Sequence, residues 1–68
     1  MDIFLKNLVE LRKINHLTQR QVAEILGITQ PSYIRYENGK AEPNLENLVK
    51  LADVFDVSID YLCGRKEY

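Results

Sequence analysis

Apolar residues recur along this chain at the spacing of helices, in stretches separated by short polar breaks. Phe4, Leu8 and Leu11 stand at i, i+4 and i+7, with Ile3 and Leu5 widening the stripe, so Met1 to Asn15 reads as a first helix with Arg12 at the stripe's edge. Val22, Ile25 and Leu26 repeat the spacing, and Ala23 between them is small enough to let another helix approach closely. They predict a second helix starting at about Gln19, with its apolar stripe facing inward. A third helix follows from about Gln30 to Glu37. Leu45, Leu48, Val49, Leu51, Ala52 and Phe55 give a broad apolar face to a fourth, Leu45 to Phe55, wide enough to touch several neighbours. Ile59 to Cys63 forms a short fifth, with Ile59 and Leu62 serving the core. The expected fold class is all-α, a compact bundle of five helices.

The breaks carry the chemistry of helix ends. Thr18 is an N-cap with Gln21 completing a capping box, and Gly27 can take the positive φ that stops a helix and turns the chain sharply. Ile28 plugs the turn, Thr29 caps the third helix, and Pro31 in its first turn gives up only an N–H that has no partner there. Asn44 caps the fourth helix, Glu46 suits the positive end of its dipole, and Ser58 caps the fifth, which Gly64 ends. Asn15, His16 and Asp56 tolerate left-handed backbone and are read as turns. Leu17 plugs the first turn, and Arg65 to Tyr68 are expected to be a frayed tail.

A wheel drawn from Gln30 at 100° per residue places Tyr33, Tyr36 and Glu37 on one side and Pro31, Ile34 and Arg35 on the other, with Gln30 and Ser32 at the flanks. Solvent meets a narrow face of Gln, Pro, Ser and Arg. An α-helix fits the major groove of B-DNA, where Arg can make a bidentate contact to guanine, Gln one to adenine, and Ser either.

With these residues in view, T-Q-x-x-x-A-x-x-x-G-I followed by T-Q-P-S-x-x-x-Y-E-N-G-K resembles the phage-repressor and Cro-type helix-turn-helix family, of the lambda-repressor-like XRE group. The resemblance covers nearly the whole chain, with the helix-turn-helix proper at 18–39, and it is the joint spacing of Thr18, Gln19, Ala23, Gly27, Ile28, Glu37 and Gly39 that makes it specific. It implies a domain that binds double-stranded DNA through the major groove, with Gln30, Pro31, Ser32 and Arg35 as base-reading candidates. Pro31 offers only apolar contact, for example to a thymine methyl. Arg35 is the principal candidate, and a phosphate contact from the same side chain is the competing role. For the DNA backbone the candidates are Gln19, Arg20, Tyr33, Asn38 and Lys40. By resemblance Gln19 touches a phosphate and braces Gln30; otherwise it is an ordinary surface glutamine. Tyr33 is a core residue first, with a hydroxyl that can emerge to a phosphate, and backbone N–H groups of the Asn38–Gly39–Lys40 turn can meet another alongside Lys40. The family pattern also pairs Arg12 with Glu37, against the plainer reading of two solvated charges. Family members often carry glycine where His16 and Asp56 stand, and a neutral or basic residue at Glu42, whose carboxylate the loop is expected to hold outward. Val57, Tyr61 and Cys63 are left over from the core, as a homodimer interface or as a satellite cluster. A two-fold dimer would place two such helices about 34 Å apart on a palindromic site.

Composition narrows the alternatives. Sixty-eight residues make one domain, 46% of them apolar, and a chain this short buries only about 60% of its unfolded surface. No apolar run reaches the ~18 residues of a membrane span, and Asp2, Lys6, Glu10, Arg12 and Lys13 break up any signal-peptide core. Cys63, the one cysteine, cannot form an internal disulfide, which suits the reducing cytoplasm of a bacterial or phage-encoded protein. His16 is the one histidine; with Cys63 remote, no zinc spacing exists, and neither metal nor cofactor is expected. The net charge of −1 is unusual for a nucleic-acid binder, but it is polarised. Lys6, Arg12, Lys13, Arg20, Arg35 and Lys40 against Asp2, Glu10, Glu24 and Glu37 leave residues 1–40 at +2, whereas Lys50, Arg65 and Lys66 against Glu42, Glu46, Asp53, Asp56, Asp60 and Glu67 leave 41–68 at −3. A weak non-specific attraction and dependence on a second subunit follow. The expectation is a transcriptional repressor in which this domain is the whole protein, acting by occupying a promoter. Its rival is an antitoxin-like or accessory module that binds a protein partner. No nucleophile–base pair, metal cluster or phosphate-cradling glycine loop points to an enzyme.

Overall fold

Each of the last four helices begins where a short polar side chain stands in for a missing turn. Thr18, Thr29, Asn44 and Ser58 hold extended backbone, and each side-chain oxygen accepts from the N–H three residues on. Such a cap contributes about 1 kcal/mol, a large share in a domain this small. At Thr18 the box is complete, because Gln21 Oε1 accepts the Thr18 N–H at 2.8 Å. The computed structural model describes residues 2–65. Its helices are α1 (Asp2–Ile14), α2 (Gln19–Leu26), α3 (Gln30–Glu37), α4 (Leu45–Phe55) and α5 (Ile59–Leu62). These bounds lie within a residue of the expected ones; Met1 and residues 66–68, and with them most of the expected tail, lie outside the described residues, while the Arg65 N–H still donates to the Asp60 carbonyl at 2.7 Å.

Left-handed residues stop the helices. Gly27 at φ 73° donates to the Ala23 and Glu24 carbonyls, and the Ile28 N–H adds a bond to Ala23. Asp56 at φ 55° ends α4, and His16 at φ 58° ends α1, so both are the turns expected of them.

α2 packs on α3, α1 on α3 and α5, and α4 on α5 and α2. Phe4 and Leu8, Val22, Ala23 and Leu26, Tyr33 and Tyr36, Leu51 and Phe55, and Leu62 meet in one core to which every helix contributes. Leu17, Ile28 and Val57 pack against its rim, so Leu17 and Ile28 are turn plugs as predicted. Val57 belongs to this core and is not left over from it.

The apolar faces of α2 and α4 are narrower than their sequences suggest. Ile25 is half exposed, and Leu45 is 73% exposed. On α4 the buried row is Asn47, Leu51 and Phe55, each four residues from the next. Leu45 sits on the other flank, where no helix covers it. Asn47 takes the inward position because its amide donates to the Tyr36 hydroxyl at 3.1 Å and is satisfied when buried. Asn7 is the other polar tie that apolar periodicity missed: its Nδ2 donates to the Tyr61 and Leu62 carbonyls at 3.0 and 3.3 Å, fastening α5 to α1.

His16 carries a β-carbon in backbone that costs L-residues about 1 kcal/mol. Glycine there removes that strain but loses more entropy on folding. The thermal midpoint of His16→Gly is therefore expected to rise by about 2 to 4 °C. A midpoint at or below that of the unmutated chain would show that the strain relieved does not exceed the entropy that glycine loses.

Candidate nucleic-acid interface

The turn between α2 and α3 is short because both of its ends are satisfied locally, by the Gly27 and Ile28 N–H groups on one side and the Thr29 cap on the other. α3 therefore presents one face to α1 and α2 and the opposite one to solvent. Gln30, Pro31, Ser32 and Arg35 are all exposed, as the wheel predicts. The Ser32 hydroxyl accepts from Thr29 Oγ1 at 2.9 Å, which leaves its own proton free to donate outward. Arg35 lies in the last turn, where its Nη2 donates to the Lys40 carbonyl at 3.3 Å.

Behind this face lies a buried carboxylate. Glu37 has a side chain only 5% exposed, and that of Arg12 is 13% exposed. Arg12 Nε donates to Glu37 Oε2 at 2.6 Å and Nη2 to Oε1 at 3.2 Å, a two-pronged contact from α1 to the end of α3. Arg12 Nη1 also donates to the Leu17 carbonyl at 3.1 Å, holding the turn into α2. Two further donors complete the shell: Gln19 Nε2 to Oε1 at 3.0 Å and the Tyr33 hydroxyl to Oε2 at 2.5 Å. A carboxylate has about four acceptor positions, and here each oxygen takes two donors. Burial by itself would push Glu37 up, but the hydrogen bonds from Arg12, Tyr33 and Gln19, with the Arg12 charge, outweigh it and hold the group below the ordinary carboxyl range. The hydrogen bond to Glu37 likewise raises Arg12, and burial followed by the Glu37 contact pushes the Tyr33 phenol up. All three stay in the protonation states that make the network near neutral pH.

This arrangement corrects several expectations. Tyr33 is fully buried and its hydroxyl is taken by Glu37, so it does not emerge toward a phosphate. The Gln19 amide braces Glu37 and not Gln30, because an ionised carboxylate is the stronger acceptor within its reach. The turn after α3 has no spare backbone donors at Asn38, Gly39, Lys40 or Ala41: these N–H groups bond the carbonyls of Ile34, Tyr36, Arg35 and Arg35. They close the C-terminal end of α3, which leaves the side chains of Asn38 and Lys40, both exposed, as what the turn can offer a phosphate. Gly39, at φ 75°, lies close enough to α1 that an added β-carbon would stand 3.0 Å from Leu5 Cδ1. Arg20 is exposed and pairs with Glu24 at 3.2 Å, a surface contact worth under about 1 kcal/mol and easily given up. Glu42 is exposed. Tyr61 and Cys63 are half-buried, and the Tyr61 carbonyl accepts from Asn7 in the middle of α1.

Two capped helices, a glycine-stopped turn and an outward polar face on the second helix define a lambda-repressor-like helix-turn-helix fold. The chain belongs to the helix-turn-helix family HTH_3, whose sequence model matches residues 8–62. It is 48% identical over 60 residues to the cryptic phage CTXphi transcriptional repressor RstR of Vibrio cholerae, a match covering 88% of this chain and 54% of that protein. Among solved structures it resembles the P22 c2 repressor in complex with a synthetic operator, with a TM-score of 0.86, 25% identity, and coverage of 94% of this chain and 97% of that one. A transcriptional regulator from Listeria innocua superposes with a TM-score of 0.82 at 37% identity, over 87% of this chain and 55% of the other. The chain spans about half the length of the curated relatives it matches.

Removing Arg12 leaves Glu37 buried with its charge uncompensated. Arg12→Ala is expected to cost about 3 to 5 kcal/mol, against a total stability of about 3 to 10 kcal/mol for a chain this size. Urea unfolding followed by circular dichroism should show the cooperative transition largely lost; a loss under about 1 kcal/mol would place the pair with ordinary surface contacts. The pH dependence has a definite sign. Because folding lowers the Glu37 pKa, its stabilisation is present above the unfolded-state value and is lost as pH falls through the folded one. Thermal stability should therefore drop as pH falls below about 5, and Glu37→Gln, though less stable at pH 7, should show a shallower drop. Equal slopes for the two proteins would remove Glu37 as the source.

Proposed function

We propose that this chain is a sequence-specific DNA-binding domain of a transcriptional regulator, a repressor that docks α3 in the major groove of an operator. The observation that carries this reading is the division of α3 into two faces. Tyr33, Tyr36 and Glu37 are turned inward and engaged, while Gln30, Pro31, Ser32 and Arg35 are exposed side by side. The exposed set holds the side chains that pair with base edges: Arg35 for guanine, Gln30 for adenine, Ser32 for either, and the Pro31 ring for a thymine methyl. Gln19, Arg20, Asn38 and Lys40 flank this face as backbone contacts, Gln19 through whatever donor capacity Glu37 leaves it. RstR is a phage repressor and the P22 c2 protein is bound to an operator, which supports the same reading here.

The net charge of −1 gives little non-specific attraction, so two domains acting together are the economical route to useful affinity. The proposed assembly is a homodimer on an inverted repeat, through Tyr61 and Cys63, and the protein acts in the cytoplasm. Duplex selection from random sequence at about physiological salt should enrich an inverted repeat, and Arg35→Ala should lose about 1 to 3 kcal/mol of preference at one base pair of each half-site. An Arg35→Ala protein that selects the same site with equal preference would leave Arg35 a phosphate contact. Failure of the unmutated chain to enrich any site would turn the search to a protein partner.

A further inference from the structure

Beside the Glu37 carboxylate, the inner face of α3 buries two tyrosines: Tyr33 is 0% and Tyr36 8% exposed. Their rings meet edge to face, centroids 6.2 Å apart and planes at 80°. The two hydroxyls tie α3 to its neighbours by different routes, Tyr33 through Glu37 of the same helix and Tyr36 directly. Tyr33 donates to Glu37, whose carboxylate is held by Arg12 of α1 and Gln19 of α2. Tyr36 accepts from Asn47 of α4, itself buried, at 3.1 Å. Leucine or phenylalanine could fill the same space, but apolar contact has little directional preference, whereas a hydrogen bond weakens steeply as its angle departs from linear.

We propose that the Tyr33 and Tyr36 hydroxyls are positioning groups that fix the roll of α3 about its own axis, and thereby set sequence discrimination. Tyr33 and Glu37 move together when the helix rolls, so Tyr33 acts by orienting the carboxylate that Arg12 of α1 and Gln19 of α2 hold, while a roll draws the Tyr36 hydroxyl directly from Asn47 of α4. A roll of 20° moves side-chain tips about 2 Å at the outer radius of a helix. That displacement breaks a base-edge hydrogen bond but leaves flexible phosphate contacts within reach. The two pins thus act on specific binding and hardly on non-specific binding. This inference rests on the reading of α3 as the helix that enters the groove.

The test compares Tyr33→Phe, Tyr36→Phe and the double variant with the unmutated chain. Affinity is measured by fluorescence anisotropy for the duplex the unmutated chain selects and for an unrelated duplex of equal length, at a temperature where circular dichroism shows each variant folded. Each single variant should lose about three- to tenfold on the selected duplex, the double variant more, with change of under about twofold on the unrelated one. Equal losses on both duplexes, or no loss in folded variants, would overturn the proposal. If Tyr33→Phe does not fold, Tyr36→Phe read in the same way decides it. The side-chain contacts of α3 in the free protein supply an arm that needs no DNA. Changed proton–proton NOEs from α3 to α1 and α4 at unchanged helicity support the pins, and NOEs unchanged from the unmutated chain remove them. Should the unmutated chain discriminate between no duplexes, the functional reading fails while the NOE result still decides the roll.

Discussion

A single carboxylate at the end of α3 constrains the molecule. Glu37 is enclosed on nearly every side, and burying an unpaired charge there would cost several kcal/mol. The chain meets that cost by bringing Arg12 from α1, Gln19 from α2 and Tyr33 from α3 itself to the same two oxygens. The three helices therefore have one mutual arrangement in which no donor or acceptor is stranded. Apolar packing alone would tolerate several. Paired in this way, the ion pair adds no net charge to the interior, and its contribution is geometric as much as energetic.

The same economy explains the outer surface. Polar groups that the fold needs are turned inward and used up: the N–H groups from Asn38 to Ala41 close α3, and the Thr29 hydroxyl both accepts from and donates to Ser32. What remains outside is a short row of side chains on α3 with few internal obligations. Among the described residues, Arg35 is tied only to the Lys40 carbonyl and Arg20 only to Glu24, contacts weak enough to exchange for a phosphate or a base edge. A domain with −3 in its second half and +2 in its first has an electrostatic direction even though its total charge is nearly zero.

α4 illustrates how a polar requirement can override a hydrophobic pattern. Leu45, Leu48, Val49, Leu51, Ala52 and Phe55 would cover just under half of the helix, yet the helix buries Asn47 and leaves Leu45 in solvent. The Tyr36 hydroxyl needs a partner in a buried setting, and an amide on α4 supplies it. Leu45 lies at the first position of the helix and stays 73% exposed.

Local chemistry along the chain determined the helices, their ends and the identity of the outward face of α3. Caps at Thr18, Thr29, Asn44 and Ser58, left-handed stops at His16, Gly27 and Asp56, and 3.6-residue periodicity act within a turn or two, so they are visible in the order of residues alone. The Arg12–Glu37 pair was legible only through resemblance to a family, since nothing local joins residues so far apart in the chain. Only the tertiary structure decided which partner each long or polar side chain takes: Gln19 on Glu37 instead of Gln30, Tyr33 sealed inside, Asn7 on the end of α5, Asn47 under Tyr36. The reason is physical. A hydrogen bond or an ion pair depends on where two distant atoms come to rest and on how much water is left between them, and neither quantity exists until the helices have packed.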